Sequence, residues 1–484
     1  MLVDERSAAI QVPQAPSGTA LVGARPHGAI LLVAGCVALA ALTLLLPSAP
    51  TYDPWSWIIW GREITHVDLV TSGGPSWKPF PVAFTTVFSL FGSAAPDLWL
   101  VVARAGAIAA VVLAFRVARR LGGGIVGGAA AGAALAIAPW WIRNAALGNS
   151  EGLIVAFLLG AIDRELAGRR GSAFALAVCA GLLRPEAWPF LGLYGLFLMW
   201  RRALPARLVL GAGAGVVALW LLPEWWGSGD LLRAMHRAKN PNPGAPTFAE
   251  NPAIETLRDA GGMLTAPLLA GLAAGAVMLA VRRDRVMAVL VAMGIAWLGL
   301  VAYMTQDGFS GNQRYLIAPV ALFTVLAGAG AGWAATLALE RLRSGATRPG
   351  VAGRALVLLA AVVAGLLFAV PSFERFAPTM HSLKYQAQLA DELPGVVRAA
   401  GGAEALTRCG TPYTGAFLVP IVAWNLRLHT QEVNLRPQVP AVVFRVRTTS
   451  RSHPVPTLRD VGDNTTVATG ARWRVVTACR SRGA

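Results

Sequence analysis

Charge is scarce in this sequence. Only 14% of its 484 residues are Asp, Glu, Lys or Arg, against about 25% in ordinary soluble domains. With 55% hydrophobic residues and a mean hydropathy of +0.55, a soluble fold of this length is excluded, because one core stops growing near about 250–300 residues. Cysteine is scarcer still, with four in all and no metal-ligand spacing among them. Cys36 and Cys179 sit in apolar runs and read as packing residues. Cys409 and Cys479 lie in the polar C-terminal stretch, and are disulfide candidates if that stretch is outside the cytoplasm. Basic stripes with interleaved aromatics are missing, so the formal charge of +17 is no nucleic-acid signature and no nucleic-acid partner is expected. A convincing cleavage site after the first apolar run is also missing. Pro47-Ser48-Ala49 is a weak candidate, so the run is read as a retained anchor. Internal repeats are absent.

Long apolar runs are abundant. Eleven crossings are expected, at residues 29–46, 97–115, 124–141, 152–162, 173–183, 188–200, 208–222, 263–281, 286–304, 315–339 and 355–370, since about 20 apolar residues span the hydrocarbon core. The fourth to sixth runs are short. The fifth and sixth suit two half-depth helices meeting at Arg184-Pro185-Glu186, because proline disfavours helix for the residue before it.

The positive residues are nearly all arginine, and many cluster between runs: 116, 119 and 120; 164, 169 and 170; 201, 202 and 207; 282, 283 and 285; 341, 343, 348 and 354. The positive-inside rule assigns them to the cytoplasm together with the N-terminus. The expectation is a multi-pass protein of the plasma membrane, an all-α polytopic bundle with a small C-terminal α/β domain outside the cytoplasm. The expected divisions are a cytoplasmic tail 1–28, a transmembrane domain 29–370 with a long first outer loop 47–96, and the outer domain 371–484. Within that domain, 381–400 reads as helix, and 416–426, 441–446 and 472–477 as strands.

The first outer loop carries the most chemistry. An acid, Asp53, follows the first span and opens a Trp-rich stretch containing Trp55, Trp57, Trp60 and Glu63. Tryptophan favours the membrane interface, so the stretch is expected to lie along the surface, with Asp53 either capping a helix or serving as a reactive group. Lys78, set among Trp77, Pro79, Phe80 and Pro81, either binds an anionic head group or snorkels. Arg184 and Glu186 at membrane depth line a cavity or form a structural ion pair. Asn149-Ser150-Glu151 reads as a helix cap first, with Glu151 a possible substrate contact. His236, beside Arg233, Arg237 and Lys239, marks a basic outer loop able to attract an anionic lipid head group.

An acid directly after the first span, a Lys-Pro element late in the same loop and the later Asn312-Gln313-Arg314-Tyr315-Leu316-Ile317-Ala318-Pro319 together resemble the GT-C superfamily of polytopic glycosyltransferases. Protein O-mannosyltransferases and lipid A aminoarabinose transferases belong to it. The resemblance covers about residues 29–370 and leaves out the tail. It implies an inverting transferase moving a sugar from a polyprenyl-phosphate donor to an acceptor hydroxyl at the outer face, the acceptor being a lipid, glycan or protein. Carried over, Asp53 is the catalytic base, while Lys78 and Arg314 face the donor phosphate, with Tyr315 beside them. The sequence departs from the pattern at Trp77, where some relatives have an acid, and a second acid near the first is represented only by Glu63 and Asp68. No cofactor is expected, and a divalent metal is not excluded. A transporter or flippase, or a polymerase, of lipid-linked saccharides is the alternative, and a non-enzymatic scaffold a further one.

Overall fold

The computed structural model describes residues 26–479 apart from 345–350, 448, 450, 451, 459 and 460; for residues 26, 27, 342–344 and 351–373 it describes the backbone alone. Apolar helices dominate residues 26–344. Five segments are long and apolar enough to cross a membrane: Gly28–Leu45, Pro79–Ile137, Ala206–Ser228, Arg285–Gln306 and Gln313–Arg341. Two bent pairs, Pro139–Ala146 with Glu151–Leu166 and Pro252–Gly262 with Ala266–Arg282, raise the number to seven if each is one span. The expected eleven full crossings are therefore not reached among the described residues. Arg170–Gly181 and Trp188–Trp200 have 12 and 13 residues, too few for about 30 Å of hydrocarbon at about 1.5 Å per residue. They are joined through Arg184 and the 3-10 turn Pro185–Ala187, as two half-depth helices require. The expected crossing at 355–370 falls in the helix Val351–Ala399, where side chains lie outside the described residues.

Glycine sets the packing at the centre. The helix Ile317–Ser344 lies between Gly124–Ile137 and Ala266–Arg282. On one face Gly328 meets the backbone of Gly127 and Ala131; on the other Gly330 meets that of Gly271 and Gly275. A Cβ on Gly328 would stand 2.6 Å from the Gly127 carbonyl oxygen, so only glycine permits this approach. The same economy fits Glu151–Leu166 to Ala95–Ala118, where a Cβ on Gly152 would lie 2.7 Å from that of Ala107.

The loop helix Tyr52–Thr65 is buried within the protein rather than exposed on its surface. Trp57, Ile58, Ile59 and Trp60 are fully buried, because the bundle and the C-terminal domain enclose it. Trp57 packs edge-on against Trp99 at 5.4 Å, Thr85 donates to the Trp57 carbonyl at 2.6 Å, and Trp55 faces Trp424 at 6.1 Å.

The C-terminal domain is a four-stranded sheet with helices against it. β1 (Thr411–Tyr413), β2 (Ala441–Val446), β3 (Thr465–Thr469) and β4 (Trp473–Ala478) lie in the order β1-β2-β4-β3, with β1 parallel to β2 and the other pairs antiparallel. Cys409, just before β1, is bonded to Cys479, just after β4. The boundary expected at 370/371 falls inside one helix, Val351–Ala399, whose 49 residues make about 74 Å. Its C-terminal part packs on the sheet, with the Trp473 indole donating to the Leu389 carbonyl at 2.9 Å. The stretch 416–426 is helical rather than a strand: a 3-10 turn leads into Val419–Leu426. Pro420 in its first turn favours a helix start and suits a paired strand poorly.

Candidate functional site

Asp53 sits in the first turn of the loop helix. Thr51, not Asp53, is the N-cap, and no side chain caps it, so the carboxylate is free for other work. Its Oδ2 pairs with Arg314 Nη1 at 3.0 Å, and no hydrogen bond reaches Oδ1 among the described residues. Burial pushes this carboxyl up, but the charges of Arg314 and Lys78 and the hydrogen bond from Arg314 outweigh burial and hold it below the usual carboxylate range.

Three consecutive residues gather the cations. Asn149 Oδ1 accepts from Arg314 Nη1 at 3.2 Å. Ser150 Oγ accepts from Lys78 Nζ at 3.0 Å. Glu151 Oε1 pairs with Arg184. The sequence reading of Asn149-Ser150-Glu151 as a cap misses this: the Ser150 side chain makes no cap hydrogen bond. These residues open the helix Glu151–Leu166, so its N-terminal dipole adds to three cationic side chains. Arg184 also lies 3.8 Å from Glu186 and over the Tyr315 ring at 4.7 Å. Lys78 lies over the Trp57 ring at 5.1 Å. Burial, joined by the charge of Arg184 and opposed by Glu151 and Asp53, pushes the Lys78 ammonium down to about 8.

The structure thus brings Asp53, Lys78, Glu151, Arg184, Glu186, Arg314 and Tyr315 together, although they are spread over more than 260 positions of the chain. The cluster is not internally satisfied. Glu151 Oε2, Glu186 Oε2 and Arg184 Nε are buried without a hydrogen-bond partner, and such groups are costly unless a ligand or water completes them. Three acids and three cations in one cluster can bind a phosphate, accept hydrogen bonds from hydroxyls and take up a proton. Among the described residues no three His, Cys, Asp or Glu side chains gather as a metal centre would.

The sequence reading put Arg233 in a basic outer loop and Glu224 in an interface belt, and their positioning roles escaped it. Arg233 is buried and donates to four successive carbonyls of the first loop: Pro75 at 2.5 Å, Gly74 at 3.0 Å, Gly73 at 2.9 Å and Ser72 at 3.3 Å. Glu224, 3.7 Å from Arg233, accepts from the Trp77 N–H at 3.1 Å. Together they fix the strand of loop that ends at Lys78. Their partners are backbone atoms of a distant segment, which leave no mark in sequence pattern. The nearest signal was the charge of Arg233 and Glu224 beside a Trp-rich interface.

Two expected members stand apart. Glu63 is taken up by the C-terminal domain and its own loop: His429 Nδ1 lies at 2.8 Å from Oε1 and the Val70 N–H donates to Oε2 at 3.0 Å. Ten residues after Asp53 on the loop helix, it stands about 15 Å along the axis from it. His236 is exposed and pairs with Asp230 at 2.7 Å, because it lies on a short surface helix, Arg233–Ala238, whose buried member is Arg233.

The sequence matches no family model and no curated protein. Solved structures do resemble it. ArnT from Cupriavidus metallidurans bound to undecaprenyl phosphate is 17% identical and aligns over 95% of this chain and 99% of its own, with a TM-score of 0.58. The apo form of that protein is 19% identical over 93% of this chain and 98% of its own, with a TM-score of 0.50. ArnT is a member of the GT-C superfamily, and a mostly helical fold with a small C-terminal sheet fits it, as the short motifs led one to expect. At these identities the likeness establishes the fold.

Proposed function

We propose that this chain is a membrane glycosyltransferase that moves a sugar from a polyprenyl-phosphate donor to an acceptor hydroxyl, with inversion at the anomeric carbon. The observation that carries this reading is the convergence of Asp53, Lys78 and Arg314 at the N-terminus of the helix Glu151–Leu166. That the ArnT structure of like fold holds undecaprenyl phosphate supports it.

In this mechanism the donor phosphate docks against Lys78 and Arg314, with Arg184 adding charge behind them. The acceptor hydroxyl approaches Asp53 and gives its proton to the carboxylate as its oxygen attacks the anomeric carbon. The bond from that carbon to the phosphate oxygen breaks, and the electron pair leaves on the phosphate, where Lys78 and Arg314 stabilise it in a poorly hydrated cleft. The unpartnered oxygens of Glu151 and Glu186 accept hydrogen bonds from the sugar hydroxyls. The Arg-rich ends of the helices face the cytoplasm by the positive-inside rule, which puts the site and the disulfide-bonded domain outside.

The test is sugar transfer by the full-length protein in liposomes containing a series of polyprenyl-phosphate sugars. Wild type is expected to transfer from at least one donor. The Asp53→Asn variant is expected to retain donor binding and lose transfer by about 10²–10⁴-fold. Undiminished transfer by the variant removes Asp53 from the role of base.

A further inference from the structure

The C-terminal domain carries a groove of about 590 Å³ between its helices. Arg398 from the helix Val351–Ala399, Thr407 from Ala403–Cys409, and Asn425, Arg427 and Leu428 at the end of Val419–Leu426 line it. We propose that this groove is a docking subsite for an anionic saccharide, a sugar chain bearing carboxylates or phosphates, and that such a chain is the acceptor of the transfer proposed above, on which this assignment rests.

The polar groups in the groove are open to a ligand. Arg398 and Arg427 are exposed, and neither has an ion pair or hydrogen bond from its guanidinium among the described residues. Arg427 is held in the left-handed region at φ 60° as the residue ending its helix, which fixes where its side chain leaves the backbone. The Asn425 amide nitrogen is used on the Ile421 carbonyl at 2.8 Å, leaving its oxygen as an acceptor. The Thr407 hydroxyl donates to the Glu404 carbonyl at 3.2 Å and keeps its own lone pairs. Glu404 also lines the groove, and its carboxylate faces Arg408 at 3.8 Å. Two unpaired guanidinium groups beside amide and hydroxyl acceptors suit a polymer with both acids and hydroxyls. A net charge of +7 over residues 371–484, from 14 basic and 7 acidic side chains, draws such a polymer in. Pro394, Val397, Ala403, Leu426 and Leu428 give the groove an apolar floor as well, which suits the apolar faces of sugar rings.

The groove is also connected to the site. Leu428 on its wall accepts a hydrogen bond from Arg62 Nη2 at 2.7 Å. Arg62 and Asp53 stand on one loop helix, nine residues and about 14 Å apart. An extended chain held at the groove therefore reaches the base with a later sugar unit.

Titration calorimetry on the full-length protein in detergent tests this, using an oligogalacturonate and an uncharged malto-oligosaccharide of equal length. The oligogalacturonate is expected to bind and the neutral chain to bind at least tenfold more weakly. The double variant Arg398→Gln/Arg427→Gln should lose at least tenfold in affinity, with its thermal unfolding unchanged. The single variant Arg427→Asn, whose new residue tolerates the left-handed backbone, should lose a smaller part. The Asp53→Asn protein should bind as wild type does. Failure of the wild type to bind, equal binding by the double variant, or full displacement by phosphatidylglycerol vesicles overturns the proposal. Charge-selective binding by a protein that transfers no sugar from any polyprenyl-phosphate donor would instead sink the transferase reading and leave the groove a saccharide site.

Discussion

The helix Glu151–Leu166 carries an ion cluster at each end, and the two are built on opposite plans. At its C-terminal end Asp163 is fully buried and surrounded: Arg116 Nη2 lies at 2.9 Å, Arg120 Nε at 3.1 Å and Arg164 Nη2 at 3.6 Å, so both carboxylate oxygens are engaged. At its N-terminal end, about 18 Å away, Glu151, Arg184 and Glu186 each keep one buried atom without a partner. A saturated cluster joins helices and has no capacity left. An unsaturated one, held together by Asn149 and Ser150 and clamped by Arg233, stores unmet hydrogen bonding that a substrate completes. At this helix, charge does not separate the two ends; the unmade hydrogen bonds do.

The sharpest way to break this comparison is to neutralise one acid at each end. Asp53→Asn should cut turnover by about 10²–10⁴-fold while leaving the unfolding temperature in detergent within a few degrees of wild type. Asp163→Ala should do the reverse. It strands three arginines and should lower stability by about 3 kcal/mol, the low end for a broken buried pair because the arginines are partly exposed; turnover per folded molecule should stay within about threefold of wild type. If Asp163→Ala abolishes turnover without unfolding, the two ends are not distinct in kind.

A second measurement uses pH. Burial and the charge of Arg184 push the Lys78 ammonium down to about 8, and it must be charged to hold a phosphate. The donor kcat/KM should therefore be level below that pH and fall about tenfold per unit above it. Lys78→Arg should move the fall beyond pH 10, since a guanidinium keeps its charge there. A profile that falls at the same pH in both proteins assigns the titration to another group. The smallest expected effect belongs to the clamp. Arg233→Ala should raise the donor KM more than it lowers kcat, by about tenfold overall, because it loosens the loop before Lys78 without touching the reacting atoms. Arg233→Lys should restore little, since one ammonium cannot reach four carbonyls.

The sequence made the outline of this site readable, and the reasons are physical. Asp53, Lys78 and Arg314 each stand at the edge of an apolar run, where a charge is costly and therefore conspicuous. Arg184 and Glu186 stood out for the same reason, and the proline between them marked the break of the two half-depth helices. The role of Asn149 and Ser150 was hidden because neutral polar residues before a helix look like a cap wherever they occur. Glu63 was placed in the site on its closeness to Asp53 along the chain, yet it stands ten residues on along the same helix, where it meets His429 instead. The number of crossings was less legible, because hydropathy registers composition and not the bends that break a helix. The expected boundary at 370/371 falls within a continuous helix for a related reason. Apolar character fades as a helix leaves a membrane, while its backbone hydrogen bonds continue unchanged.

The glycine seam of the central helix has a reach beyond its own contacts. With backbone against backbone on both faces, that helix is a rod without slack, and Arg314 and Tyr315 ride at its tip. A methyl group added at Gly328, fourteen residues from Arg314 and about 21 Å along the axis, has no side chain to push aside. The displacement travels to the tip instead. Remote small-to-larger changes at Gly127, Gly328 or Gly330 are then as consequential for turnover as changes in the pocket, and a survey of tolerated substitutions would trace the seam as a line running from the cleft to the far side of the bundle.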